Sequence, residues 1–198
     1  MSLKKHGITT ETIKKMILGA GVIYKNLKYV IPAGETVGEW EGTVLGATSG
    51  GLKFHYEVTW LDIEIDGATV LVMDVSKQKI GEKASLEGQM TEITEGILVT
   101  ALHLTETESE DENFKKFITK ENISDEDYLE NIAYVGTLSS GKKIIIILPN
   151  ALCTKALELE TKNANQNTYK VNFECTVDLE NDTLDKLDLQ LYYPKDEV

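Results

Sequence analysis

The stretch Leu52-Lys-Phe-His-Tyr-Glu-Val-Thr-Trp60 decides the fold class. Leu52, Phe54, Tyr56, Val58 and Trp60 alternate with Lys53, His55, Glu57 and Thr59. Successive side chains of a strand point to opposite faces, so this pattern is a strand with one apolar face. The phase slips around Leu61-Asp-Ile63, as a bulge or twist produces. Asp66-Gly67 is a turn signal, and a short apolar stretch follows at 68–73. Residues 77–92 read as a second long strand, with Ala84, Leu86, Gly88 and Met90 on one face.

Working outward, residues 21–31 and 40–46 read as a strand and its return, joined by the turn-rich segment 32–39. Residues 47–51, Ala-Thr-Ser-Gly-Gly, read as a loop. Before them, Thr9 and Thr10 can cap a short helix with Ile13, Met16 and Ile17 on one face, ended by Gly19. Residues 93–104 fit helix and strand equally. Residues 106–130 hold ten acids and three lysines, with an acidic loop at 106–122. Ser124 and Asp127 make a capping-box start, and Tyr128, Leu129 and Ile132 extend it as a helix over 125–131. A strand at 133–138, a Ser139-Ser-Gly141 turn and Lys143-Ile-Ile-Ile-Ile-Leu148 come next. The isoleucine run reads as a strand buried on both faces. A last hairpin is expected from 155–161 and 168–178, with Tyr169, Val171, Phe173, Cys175 and Val177 on one side.

Seven to nine strands and two short helices exclude a doubly wound α/β fold. The expected architecture is mainly β, an antiparallel β-sandwich or incomplete barrel with one or two short helices, in a single domain over 1–198. The fragments at 101–107 and 156–162 are alike, but seven residues do not make a repeat.

Charge narrows the function classes. The 198 residues carry 33 acids and 20 bases, a net −13, and every base is lysine. Arginine supplies the planar fork for phosphate and guanine, so an acidic chain without it is poorly equipped to grip nucleic acid or an anionic membrane. The first twelve residues lack the apolar core of a signal peptide. Cys153 and Cys175 are then free thiols in a reducing compartment, and the sequons at Asn122 and Asn181 carry no glycan. His6, His55 and His103 lack metal-ligand spacing.

No catalytic constellation emerges. Gly136-Thr-Leu-Ser-Ser-Gly-Lys142-Lys143 matches a phosphate-binding loop up to its last position, where a hydroxyl is required and Lys143 stands. An isoleucine strand follows where a helix is needed, so the string reads as a hairpin turn. Residues 46–51 are not a nucleophile elbow. They read as a close-packed turn or as a subunit contact through Ser49, Gly50 and Gly51. The acids at 106–112 lack the spacing of a calcium loop. Trp40 and Trp60 suit packing or an interface, and no cofactor or metal is expected.

Three stretches together resemble the tail tube (major tail) proteins of tailed bacteriophages and prophages. They are Gly19-Ala-Gly-Val-Ile-Tyr24, Leu45-Gly-Ala-Thr-Ser-Gly-Gly51 with the alternating strand and Asp62-Ile-Glu-Ile-Asp-Gly-Ala68, and Tyr128-Leu-Glu-Asn-Ile-Ala-Tyr-Val-Gly136 with the isoleucine strand and Asn150-Ala-Leu152. The resemblance implies a non-enzymatic virion subunit without a cofactor, assembled in the host cytoplasm. Such subunits form hexameric rings that stack into a tube, through which DNA passes unbound during ejection. Its partners would be further copies of itself, the tape measure, the tail terminator and the baseplate or distal tail proteins, with no membrane. Tubes of contractile injection and type VI secretion particles share the implied fold, and a monomeric β-sandwich binding module is the alternative. Residues 32–39 and 66–77 are candidate arms. Within the second, Val70, Leu71, Val72 and Met73 are either a subunit contact or a core strand.

Overall fold

The computed structural model describes residues 7–63, 77–155, 167–177 and 186–195. Among these residues ten strands and two short α-helices follow in chain order. They are α1 (Thr10–Lys14), β1 (Ile17–Val30), β2 (Glu39–Val44), β3 (Thr48–Asp62), β4 (Lys77–Met90), α2 (Glu95–Leu102), β5 (Leu104–Thr107), β6 (Lys116–Thr119), β7 (Leu129–Leu138), β8 (Lys143–Cys153), β9 (Tyr169–Cys175) and β10 (Gln190–Tyr192). Every strand pairing is antiparallel. The main sheet runs β2-β1-β7-β8-β9-β4-β3, with β10 also on β8, and β5-β6 form a separate hairpin.

One strand serves two layers. The first half of β8 pairs with β10 at Ile145–Ile147, and its end pairs with β9 at Ala151–Cys153. Between them lies Pro149-Asn150. Proline removes a ladder donor, and Asn150 turns to φ 45°, a left-handed conformation that asparagine tolerates. Its freed carbonyl accepts from the Thr176 amide and hydroxyl. The sheet folds over here, so that its two halves face each other across a shared core. Ile23, Ile132 and Ile146 of one layer share a core with Leu86, Val171 and Phe173 of the other. The layers meet closely at Gly88, where an added Cβ would lie 2.4 Å from Leu52 Cδ2 and 3.5 Å from Ile23 Cδ1.

The isoleucine strand is buried on both faces, as its unbroken apolar run requires. Ile144, Ile146 and Leu148 enter the main core, while Ile145 and Ile147 join Leu27 and Ala133 beneath Tyr24 and Trp40. The Tyr169, Val171, Phe173, Cys175 row is buried and Val177 half-buried. Ala84, Leu86, Gly88 and Met90 also face inward.

Several expectations need correction. Residues 48–51 belong to β3 and are not a loop. Pairing advances four residues from Thr48 to Leu52 against two from Met90 to Gly88, so the strand is bulged there. Gly50 and Gly51 take φ 76° and 85°, which only glycine adopts cheaply. The helix over 125–131 reduces to a 3-10 turn at Asp125–Asp127. The Asp127 carboxylate accepts from the Ser124 amide and hydroxyl, and the ladder to β8 then claims the chain from Leu129. Strands occupy 104–107 and 116–119, on either side of the acids at 108–112. The ambiguous segment 93–104 is mostly helix, capped by Thr94. Ile13 of α1, Met16 beyond its end and Ile17 at the start of β1 stay exposed, so the helix stops at Lys14 and β1 begins before Gly19. Residues 66–76, with Val70 to Met73, and the arm at 156–161 lie outside the described residues.

Gly21 tests the packing of β1 on β7. It adopts φ 72°, and an added Cβ would sit 2.1 Å from the Tyr134 ring. Gly21→Ala is expected to lose about 1–3 kcal/mol in a denaturant melt, from overpacking and left-handed strain.

Candidate assembly surfaces

Among the described residues the sheet path ends at β2 on one side and at β3 on the other. An unpaired edge presents free N–H and C=O groups and must be covered or blunted. Ser49, Gly50 and Gly51 lie on the β3 edge, within its bulge. Residues 32–39 join β1 to β2, and Tyr29 OH accepts from the Gly38 amide at 2.9 Å.

The β3-β4 ribbon reaches beyond the body. β9 covers β4 only from Ser85 to Met90. From Tyr56↔Ala84 to Asp62↔Lys77 the two strands pair only with each other among the described residues. Pairing shifts between Thr59↔Gly81 and Trp60↔Lys79, leaving Ile80 without an opposite residue. This is one residue before the phase slip that the sequence suggested. Tyr56, Trp60, Leu61, Ile63 and Ile80 are all exposed, Trp60 by 54%. On the alternating face, Leu52, Phe54 and Val58 are half-buried, while Tyr56 and Trp60 are exposed.

A carboxylate ties this ribbon to the body. Glu82 receives the Lys79 ammonium at 2.7 Å, the Tyr56 hydroxyl, and the Leu187 amide at 2.8 Å. Its side chain is only 7% exposed. The hydrogen bonds from Lys79 and Tyr56 hold its carboxyl down to about 2, against the usual 4.5. A depressed carboxylate pKa stabilises the fold above the unfolded value, and that contribution is lost as pH falls through the folded one. The ribbon's attachment is expected to loosen between about pH 4.5 and 2. Hydrogen exchange of the Leu187 amide across that range checks it; Glu82→Gln should show fast exchange already at pH 7.

An aromatic cluster on the outer face of β1, β2, β7 and β8 was not foreseen. Trp40 meets Tyr29 and Tyr192 edge-on, with centroids 5.4 and 4.8 Å apart. Beside it lies a cavity of about 540 Å³, lined chiefly by Tyr24, Trp40, Tyr192 and Tyr193, with Glu41 and Lys143 at hand. Tyr192 comes from β10, and its three-residue strand inside a polar tail gave no period to read.

The string at 136–143 is a strand-turn-strand. Gly141 takes φ 83°, the Leu138 amide donates to the Lys142 carbonyl, and Lys143 Nζ reaches Thr137 Oγ1 at 2.6 Å. No helix follows to present amides to a phosphate. Lys142→Ala should leave nucleotide titrations as flat as those of the unaltered chain; magnesium-dependent micromolar binding lost in that variant would contradict this. Among the described residues no group of three or more His, Cys, Asp or Glu is placed to hold a metal. In the acidic run, Asp111 accepts from its own Asn113 amide and side chain. Cys153 and Cys175 are buried free thiols, and burial pushes the Cys175 thiol up to about 11. No helix among the described residues is long and apolar enough to cross a membrane.

These features define an antiparallel β-sandwich with two outer strands, a projecting ribbon and exposed apolar side chains. No protein-family model matches the chain, and no curated protein matches it. A solved structure described as the tail of an empty GTA particle, computed with helical refinement in C6 symmetry, is similar over 80% of this chain and 92% of that one. The identity is 9% and the TM-score 0.40, too low for the likeness to carry an argument.

Proposed function

We propose that this chain is a structural subunit of a tail tube, which builds hexameric rings stacked around a channel for DNA. The observation that carries the reading is the ribbon. Tyr56, Trp60, Leu61, Ile63 and Ile80, exposed on a ribbon that runs past the cover of β9, make an interaction surface waiting for cover. A second copy supplies it. Cyclic assembly uses head-to-tail contacts, in which one surface meets a different one, and the outer strands β2 and β3 are two different surfaces. The order and spacing of the three stretches that resemble tail tube proteins support the same reading. So does the charge, since a net −13 chain without arginine lets phosphate slide past. Residues 66–77 then continue the ribbon as an arm, and Val70, Leu71, Val72 and Met73 contact a neighbour. Ser49, Gly50 and Gly51 contribute a close backbone approach at the β3 edge. The subunit is not an enzyme and takes no cofactor. Its partners are other copies, the tape measure, the terminator and the distal tail proteins, within a virion tail or a contractile injection particle.

A second reading has its own observation. The aromatic cavity beside Trp40 falls in the size range of ligand pockets, which suits a monomeric binding module. Mass in solution and negative-stain microscopy separate the two. Rings with a central hole support the tube; a stable 22.0 kDa monomer at every concentration sinks it.

A further inference from the structure

The strands of the sandwich run between two ends of opposite character. β7 starts at Leu129 and finishes at Leu138, a span of about 30 Å at the usual rise per residue. At its finish, α1 packs against the β7-β8 turn: the Ser139 amide donates to the Met16 carbonyl and the Ser140 amide to the Lys14 carbonyl. At its start, the β5-β6 hairpin is fixed. Lys120 Nζ reaches Asp127 at 2.7 Å, and His103 Nε2 lies 2.8 Å from the carbonyl of Cys153, the last residue of β8. The hairpin and α1 thus stand at opposite ends of the same two strands.

Each end exposes apolar side chains among charges whose balance has opposite sign at the two ends. At the α1 end, Ile8, Ile13, Met16 and Ile17 are 60, 61, 53 and 51% exposed. Around them are Lys14, Lys15, Lys142 and Lys143 against Glu11 alone in α1 and the turn. At the hairpin end, Phe114, Ile118 and Ile123 are 70, 47 and 53% exposed. Residues 104–127 carry nine acids and three lysines there, a net −6.

We infer that the two ends are the faces of one contact between copies, the lysine-collared α1 end of one subunit seating on the acid-collared hairpin end of the next. The inference rests on the tube reading and names the surfaces that stack one ring on another. Apolar centres supply the burial. Opposite collars steer the encounter and penalise the reversed orientation, where like charge meets like. Because the surfaces differ, the contact propagates in one direction, as a growing tube requires.

Charge reversal tests it with the full chain. One variant carries Lys14→Glu, Lys15→Glu and Lys143→Glu; a second carries Glu108→Lys, Glu110→Lys, Glu112→Lys, Glu121→Lys and Glu126→Lys, which turns the net −6 of residues 104–127 into +4. All eight side chains are exposed, and an unchanged melting temperature confirms that each variant folds. Each alone has two ends of like sign and is expected to form rings but at least tenfold fewer tubes than the unaltered chain. Mixed in equal amounts, their ends are complementary again and tubes return, with the variants alternating. Either variant alone forming tubes of normal number and length overturns this contact and leaves the tube reading standing. A mixture that stays as separate rings overturns it too. An unaltered chain that never leaves the monomer overturns both.

Discussion

Phe173→Ala is expected to lose about 3–5 kcal/mol in denaturant unfolding, the largest single effect available in this fold. Phe173 is 1% exposed and is among the largest fully buried side chains. It sits where three strands meet, opposite Leu86 on β4 and Cys153 on β8. Truncation removes its transfer energy and leaves a hole between layers that cannot collapse without shifting the β8 bend. A small domain holds only about 5–15 kcal/mol in total, so the variant should be marginal at body temperature. A loss below about 1 kcal/mol would mean that this face does not bear the core.

Trp60→Glu is expected to do the opposite: keep the fold and abolish assembly. The indole is 54% exposed on a stretch where β3 and β4 form ladders only with each other among the described residues. A charge there meets water in the monomer, so stability should move by less than about 0.5 kcal/mol. In an assembled ring the same carboxylate is buried without a partner, which costs several kcal/mol per contact. Sedimentation should show a folded 22.0 kDa species where the unaltered chain gives rings. Rings of normal abundance from Trp60→Glu would remove the ribbon from the interface. Leu71→Asp extends the experiment to the proposed arm: a soluble monomer is expected if Leu71 makes a neighbour contact, and unfolding if it belongs to a core strand.

The sequence was most legible where pattern and burial coincide. The alternation at Ala84–Met90 and Tyr169–Cys175 and the run at Ile144–Leu148 gave strand, face and depth together, because each is covered by another layer. Legibility failed where local and tertiary preferences diverge. Tyr128, Leu129 and Ile132 have helical spacing, yet a ladder partner on β8 outweighs it. Gly50 and Gly51 signal a loop, yet an edge strand absorbs them as a bulge. The assembly surfaces were half legible. The alternating face from Leu52 to Trp60 was visible, but periodicity cannot say that Tyr56 and Trp60 would stay exposed on it. Nor can it place Tyr192, far away in the chain, against Trp40.

The ladder between β1 and β7 sets the order in which the molecule can form. Ile23 pairs with Tyr134, so more than a hundred residues must leave the ribosome before the first long strand finds its second neighbour. Strands β3 and β4, and β7 and β8, pair with their neighbours in chain order and have no such wait. Non-local pairing of this kind slows folding and leaves a strand exposed meanwhile. During synthesis β1 has only β2 to hold it, and its Ile23 and Leu27, buried in the finished protein, are open to misassociation. Nascent chains stalled before β7 should therefore recruit chaperones, and those stalled after β8 should release them.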